Sequence, residues 1–245
     1  MNVHTIQRFD NDLDKLRSRL IKMCTLVQQQ MDFVMKALAE SDKQLSELII
    51  ANDDKIDKVD IKIDKQCMEI FAVHQPLASD LRLVLTTLSL NDLIELIGDT
   101  LVDIARCIGD IQDNPFLIRK TQILRMGEVV GNMLNRAVDA YIFANHELAK
   151  ECFVLIPQVK NLRKQNMDIL AGLVKEEPGY AVTCLMLQDI NRNLKMVADL
   201  SVNAAQEIVF LAEARNIKHS ALADGGSADS GDVAGENDIE GIKAE

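Results

Sequence analysis

Asn91-Asp92-Leu93-Ile94-Glu95-Leu96-Ile97-Gly98-Asp99 sets carboxylates one helical turn apart inside an otherwise apolar stretch. At about 100° per residue, Asp92, Glu95, Asp99 and Asp103 fall in one narrow stripe, while Leu90, Ile94, Ile97, Leu101, Ile104 and Ile108 cluster opposite. The stripe is the flank of an amphipathic helix. Like charges at i,i+4 repel by a few tenths of a kcal/mol per pair. A helix carrying several of them accepts a cost that a bound cation would remove.

Working outward, the helix holding this stretch begins at Gln75-Pro76, with Pro76 in its first turn, and ends near Asp110, before the breaker Asp113-Asn114-Pro115. Ahead of it, Ser41-Asp42 starts a helix running to about Val73. Ile56, Val59, Ile63 and Ile70 form its inner face, Asp53, Asp57, Asp60 and Asp64 an acidic edge, and Lys55, Lys58, Lys62 and Lys65 the remaining arc. From Thr5 to Leu38, apolar residues at spacings of three and four predict a long first helix with a narrow seam. The second half repeats the plan, with helices over Ile118–Ala144, Leu148–Lys175 and Pro178–Ile217. Pro157 requires that the middle one be kinked or begin later. The fold expected is all-α: two antiparallel three-helix repeats with internal pseudo-two-fold symmetry, residues 1–113 and 114–218, and a disordered acidic tail, 219–245.

Composition agrees. Of 245 residues 48% are hydrophobic, only 4% are aromatic and none is Trp, which favours helix-on-helix packing. The tail from His219 holds seven acids and one lysine, so about half of the formal charge of −11 sits there. Without periodicity it cannot bury enough apolar area to order itself, and it reads as a solvating extension. A mildly acidic body without a basic patch argues against nucleic-acid binding. Five cysteines scattered at helical positions without C-x-x-C, no leader and no long apolar run predict a soluble cytoplasmic chain with free thiols and no membrane insertion. No phosphate loop, nucleophile elbow, H-E-x-x-H or Glu-x-x-His motif is present, so catalysis is not expected.

Gln75-Pro76-Leu77-Ala78-Ser79-Asp80-Leu81-Arg82 followed by Asn91–Asp99 resembles the PhoU family of phosphate-signalling proteins. That family's motif is an acidic residue, three intervening residues and an aspartate, on two helices of each of two three-helix repeats. Glu95 and Asp99 match it, as do Asp53 and Asp57. The resemblance implies a non-catalytic regulator of phosphate uptake and the phosphate-starvation response. It also implies contacts with the ATPase of a phosphate ABC transporter and with a sensor histidine kinase, a homodimer, and metal at the motifs.

Read chemically, Asp53, Asp57, Glu95 and Asp99 form an oxygen-only donor set for Mg²⁺, Mn²⁺, Ca²⁺ or oxidised iron. In the second repeat Lys195 stands for Glu95 and Lys160 for Asp57, leaving Asp199 as a residual second site. His74 and Asp80 flank the turn before the third helix, His74 as a cap or surface residue and Asp80 as a first-turn acid. Two alternatives stay open: an accessory regulator of a different transporter or kinase, and a structural helical dimer without metal.

Overall fold

The computed structural model describes residues 3–111 and 114–214. The tail, the end of the last predicted helix at Ile217 and Asp113 of the breaker lie outside these residues. The described residues form eight α-helices and one 3₁₀ turn, without strands: α1 (Val3–Glu40), α2 (Lys43–Asn52), α3 (Asp54–His74), α4 (Ala78–Asp110), α5 (Phe116–Lys120), α6 (Ile123–Ile142), α7 (His146–Glu176), the turn Pro178–Tyr180, and α8 (Ala181–Glu213).

α1, α2–α3 and α4 pack as one antiparallel bundle, and α6, α7 and α8 as another. The two bundles join through α4 against α8 and α1 against α6. The α1 seam is buried as its spacing predicts: Leu16, Leu20, Met23, Val27, Met31, Val34 and Leu38 are all in the core. α8 lies deepest. From Ala204 to Val209 every residue is buried, Gln206 and Glu207 included, so this part is enclosed on all sides.

The duplication is visible in the turns. α1 stops at left-handed Ser41 (φ 53°), and Asp42 caps α2 by accepting from the Leu45 amide; α6 stops at left-handed Ala144 (φ 51°), and Asn145 caps α7 by accepting from the Glu147 amide. The Asp42 N–H donates to the Ala37 carbonyl at 3.0 Å, and the Asn145 N–H to the Ala140 carbonyl at 2.9 Å. Each half thus reverses direction with one backbone device.

The structure corrects several sequence boundaries. The single helix predicted from Ser41-Asp42 to Val73 is broken at Asp53, whose N–H reaches the Ile50 carbonyl across a tight turn at 3.4 Å. The helix predicted over Ile118–Ala144 is likewise two, α5 and α6, separated at Thr121 and Gln122. Pro76 precedes α4 rather than sitting in its first turn. Gln75 adopts a left-handed conformation (φ 47°) and the chain runs extended through Leu77 before Ala78. α7 begins at His146 and runs through Pro157 without interruption. The last helix starts at Ala181, after the 3₁₀ turn that contains Pro178.

Candidate metal centre

α3 and α4 present their acidic edges to one another. Asp53, where α2 meets α3, Asp57 one turn on, and Asp99 of α4 each offer a carboxylate oxygen within 4.8 Å of the others. Asp53 Oδ1 is buried without a hydrogen bond of ordinary geometry, and the Gln30 side chain beside it is near enough to oppose the rise in its pKa. Gly98 lets α4 come close here: a Cβ would lie 3.3 Å from the Ile56 side chain and 3.5 Å from Gln30 Oε1.

Further along α3 is a second triad that the sequence reading did not single out. Asp60, Asp64 and Asp92 also bring oxygens within 4.8 Å. Asn91, fully buried, donates through Nδ2 to Asp60 Oδ1 at 2.6 Å and to Asp64 Oδ1 at 2.9 Å. Of the four residues singled out from the sequence, three converge and one stands apart. Glu95 belongs to neither triad. It lies on α4 between Asp92 and Asp99 and feels the charge of Asp99, Asp60, Asp57 and Asp53.

Negative charge dominates the electrostatics, with Arg106 opposing it. Burial, and then the charges of Asp57 and Asp99, hold the Asp53 carboxyl above its ordinary range. Burial followed by Asp57 and Asp103 does the same to Asp99, with Arg106 opposing. Glu95 is pushed up to about 7, by burial first and then by its acidic neighbours. Crowded hard oxygen donors with a desolvated lone pair fit a hard cation, whose charge would reverse these shifts.

A pH dependence follows. A carboxyl with folded pKa near 7 against an ordinary 4.5 is protonated more readily in the folded chain. Its contribution to stability is therefore full below the unfolded value and lost as pH rises through 7. Chelator-treated protein should melt a few degrees higher at about pH 5 than at about pH 8, reflecting about 1 kcal/mol after solvent screening. Glu95→Gln should flatten that difference. A melting temperature that does not respond to pH in the unsubstituted protein would contradict it.

The second repeat lacks the anionic groove. Asn191 donates to the Arg163 carbonyl at 3.1 Å just as Asn91 donates to the Asp60 carbonyl at 3.3 Å. This register sets Arg163 opposite Asp60, Lys160 opposite Asp57 and buried Ile156 opposite Asp53. Lys195 Nζ bonds both oxygens of Asp199, so an ammonium sits where repeat one has Glu95. A further group, His146, Glu147 and Glu213, also brings ligand atoms within 4.8 Å. Lys150 already bridges its two glutamates, at 2.9 and 3.0 Å. His74 is not a surface residue: its side chain is only 6% exposed. It closes α3 against α1, its Nε2 3.2 Å from Asp12 Oδ2 and its ring 4.9 Å from that of Phe9. Asp80 lies in the first turn of α4.

Acidic triads between two helices of a three-helix unit, in one half of a duplicated chain, coincide with a sequence match. The family model described as PhoU domain matches residues 20–108 and again 123–208. The chain belongs to the PhoU family. Among curated PhoU relatives, a phosphate-specific transport system accessory protein PhoU homolog of Zymomonas mobilis is 29% identical over 87% of this chain and 90% of its own. One from Aquifex aeolicus is 29% identical over 88% of this chain and 97% of its own. The crystal structure of PhoU from Pseudomonas aeruginosa superposes with a TM-score of 0.78 at 26% identity, covering 84% of this chain and all of that one. The all-α architecture and its two repeats are thus those of the PhoU fold. Among the described residues, no helix is long and apolar enough to cross a membrane.

Proposed function

We propose that the protein is a non-catalytic accessory regulator of phosphate transport, restraining uptake and phosphate-starvation signalling from the cytoplasm. It would act as an adaptor between a phosphate ABC transporter, through its ATPase, and a sensor histidine kinase, as a homodimer. The names of its relatives as phosphate-specific transport system accessory proteins support the transport side of this reading. The observation that carries the mechanistic side is the triad Asp53, Asp57 and Asp99, with a buried oxygen and Glu95 alongside. These residues would hold a cation such as Mg²⁺, Mn²⁺, Ca²⁺ or Fe³⁺, which supplies charge neutralisation when bound. The protein's own part is to keep α3 and α4 at a fixed separation, through Gly98 and the Asn91 bonds. The groove thereby sets the outer surface of α3 shown to a partner.

The test is elemental analysis of purified protein beside the Glu95→Ala/Asp99→Ala variant, with pull-down of the transporter ATPase by both. We expect a metal that co-purifies with the unsubstituted protein and is lost from the variant, and weaker ATPase capture by a variant of unchanged helical content. Equal metal content and equal capture in both proteins would overturn the mechanism.

A further inference from the structure

The net charge of −11 conceals a basic face that only the folded chain assembles. Lys55, Lys58, Lys62 and Lys65 recur at spacings of three and four along α3 and are all exposed. Beside them, α1 turns Arg8, Lys15, Arg19 and Lys22 to the same side. Arg8, Lys15 and Lys22 are exposed, and Arg19 Nη1 donates to the Lys62 carbonyl at 3.0 Å, stitching the two rows together. The acids on this face are fewer: Asp54 pairs with Lys58 at 3.2 Å, Asp12 is held by His74 and Lys15, and Glu69 stands exposed one turn after Lys65. Expectations from overall charge, which gave no basic patch, are corrected here.

Between the lysines the outward line of α3 carries large apolar side chains. Ile61 is 63% exposed and Met68 66%, one turn on either side of Lys65, and Val73 follows at 59%. Such residues gain nothing in water, and the helix has no neighbour on that side. Lysine stems that reach outward around an exposed apolar line are the arrangement of a helix lying in a lipid headgroup layer. A nucleic-acid surface would call for aromatic stacking groups, which this line lacks. The cleft between α1 and α3, about 380 Å³, is lined by Arg8, Lys15 and Arg19 together with Asp12 and Glu69, three cations to two acids, and is large enough for a headgroup phosphate. Of the α3–α4 acids, Asp60 and Asp64 turn in toward Asn91, while exposed Asp57, one turn before Ile61, stands at the rim of this docking.

We propose that the α1–α3 face is a peripheral docking surface for an anionic lipid bilayer, with Lys58, Lys62 and Lys65 meeting headgroup phosphates and Ile61 and Met68 entering the interfacial layer. The proposal stands independently of metal binding and of the phosphate-transport reading.

The test is flotation of the full chain with vesicles of phosphatidylglycerol and phosphatidylcholine in equal parts, against vesicles of phosphatidylcholine alone. The variants are Lys58→Glu/Lys62→Glu/Lys65→Glu, the milder Lys→Gln set at the same positions, and Ile61→Ser/Met68→Ser. The unsubstituted protein should float with the anionic vesicles only. At about a fivefold change per surface lysine, neutralising the three should lower partitioning by roughly hundredfold. The serine pair should lower it severalfold with its charge intact. Absence of flotation with anionic vesicles overturns the proposal, as does flotation unchanged in the Lys→Gln set. Retention on immobilised heparin without flotation would reassign the face to an acidic protein or nucleic acid.

Discussion

Asp53→Asn/Asp99→Asn should make the metal-free protein more stable and the protein in saturating cation less so. In the unsubstituted chain three carboxylates meet within 4.8 Å, and burial and mutual repulsion raise the pKa of Asp53 and Asp99. Neutral amides of the same shape remove the repulsion and can donate to Asp57. The structure already contains that solution one step along the groove, where the Asn91 amide sits between Asp60 and Asp64. Relief of two charges should be worth about 1–2 kcal/mol, or several degrees of melting temperature for a chain of this size. The unsubstituted protein, by contrast, should gain about 2.7 kcal/mol at a hundredfold excess of cation over its dissociation constant, and the variant nothing. The two melting curves should therefore cross as Mn²⁺ or Mg²⁺ is titrated in. A variant destabilised without metal and still stabilised by it would place the cation elsewhere.

Asn166→Ala should be the more damaging change for folding, although Asn166 is remote from the acids. Asn166 is fully buried. Its Oδ1 accepts from the Gln122 N–H at 2.7 Å and its Nδ2 donates to Asn191 Oδ1 at 3.1 Å, so it ties the start of α6, the middle of α7 and α8 together. Gln122 is the N-cap of α6 and makes no side-chain cap of its own, so Asn166 supplies a partner from another helix. Truncation strands a part-buried donor and a buried acceptor, at about 1–3 kcal/mol for the buried one and less for the other, and opens a small void. We expect a loss of about 3 kcal/mol in denaturant unfolding, or roughly 10 °C in melting temperature. Asn166→Asp keeps the acceptor for Gln122 but not the donor for Asn191, and should retain the α6 cap while still losing stability. A loss below about 1 kcal/mol in the alanine variant would mean that the network is not what joins these helices.

Much of this fold was legible in the sequence because helical periodicity is a local property. The α1 seam, the duplication and the loss of acids at Lys160 and Lys195 all follow from spacing and residue type. The breaks at Asp53 and Thr121 were not, since neither carries a glycine or proline and both depend on packing against neighbouring helices. The grouping of ligands was half legible. Spacing along one helix shows that Glu95 and Asp99 share a face. Which acids of α3 they meet depends on the stagger and rotation of two helices, and that places Asp99 with Asp53 and Asp57 while leaving Glu95 between the triads. The Asp60, Asp64 and Asp92 triad was missed for the same reason, although Asn91, a polar residue beside the apolar stripe, was the available signal. The basic face was hidden because its two rows lie far apart in the chain.

Lys195 and Asp199 give the duplication a consequence for how the molecule would report a cation. Their ion pair acts as a counterion built into the chain, so the second half resembles a permanently loaded copy of the first. This chain has one open groove beside a fixed one. Cation uptake should therefore saturate with the first half alone, uncoupled from the fixed pair in the second.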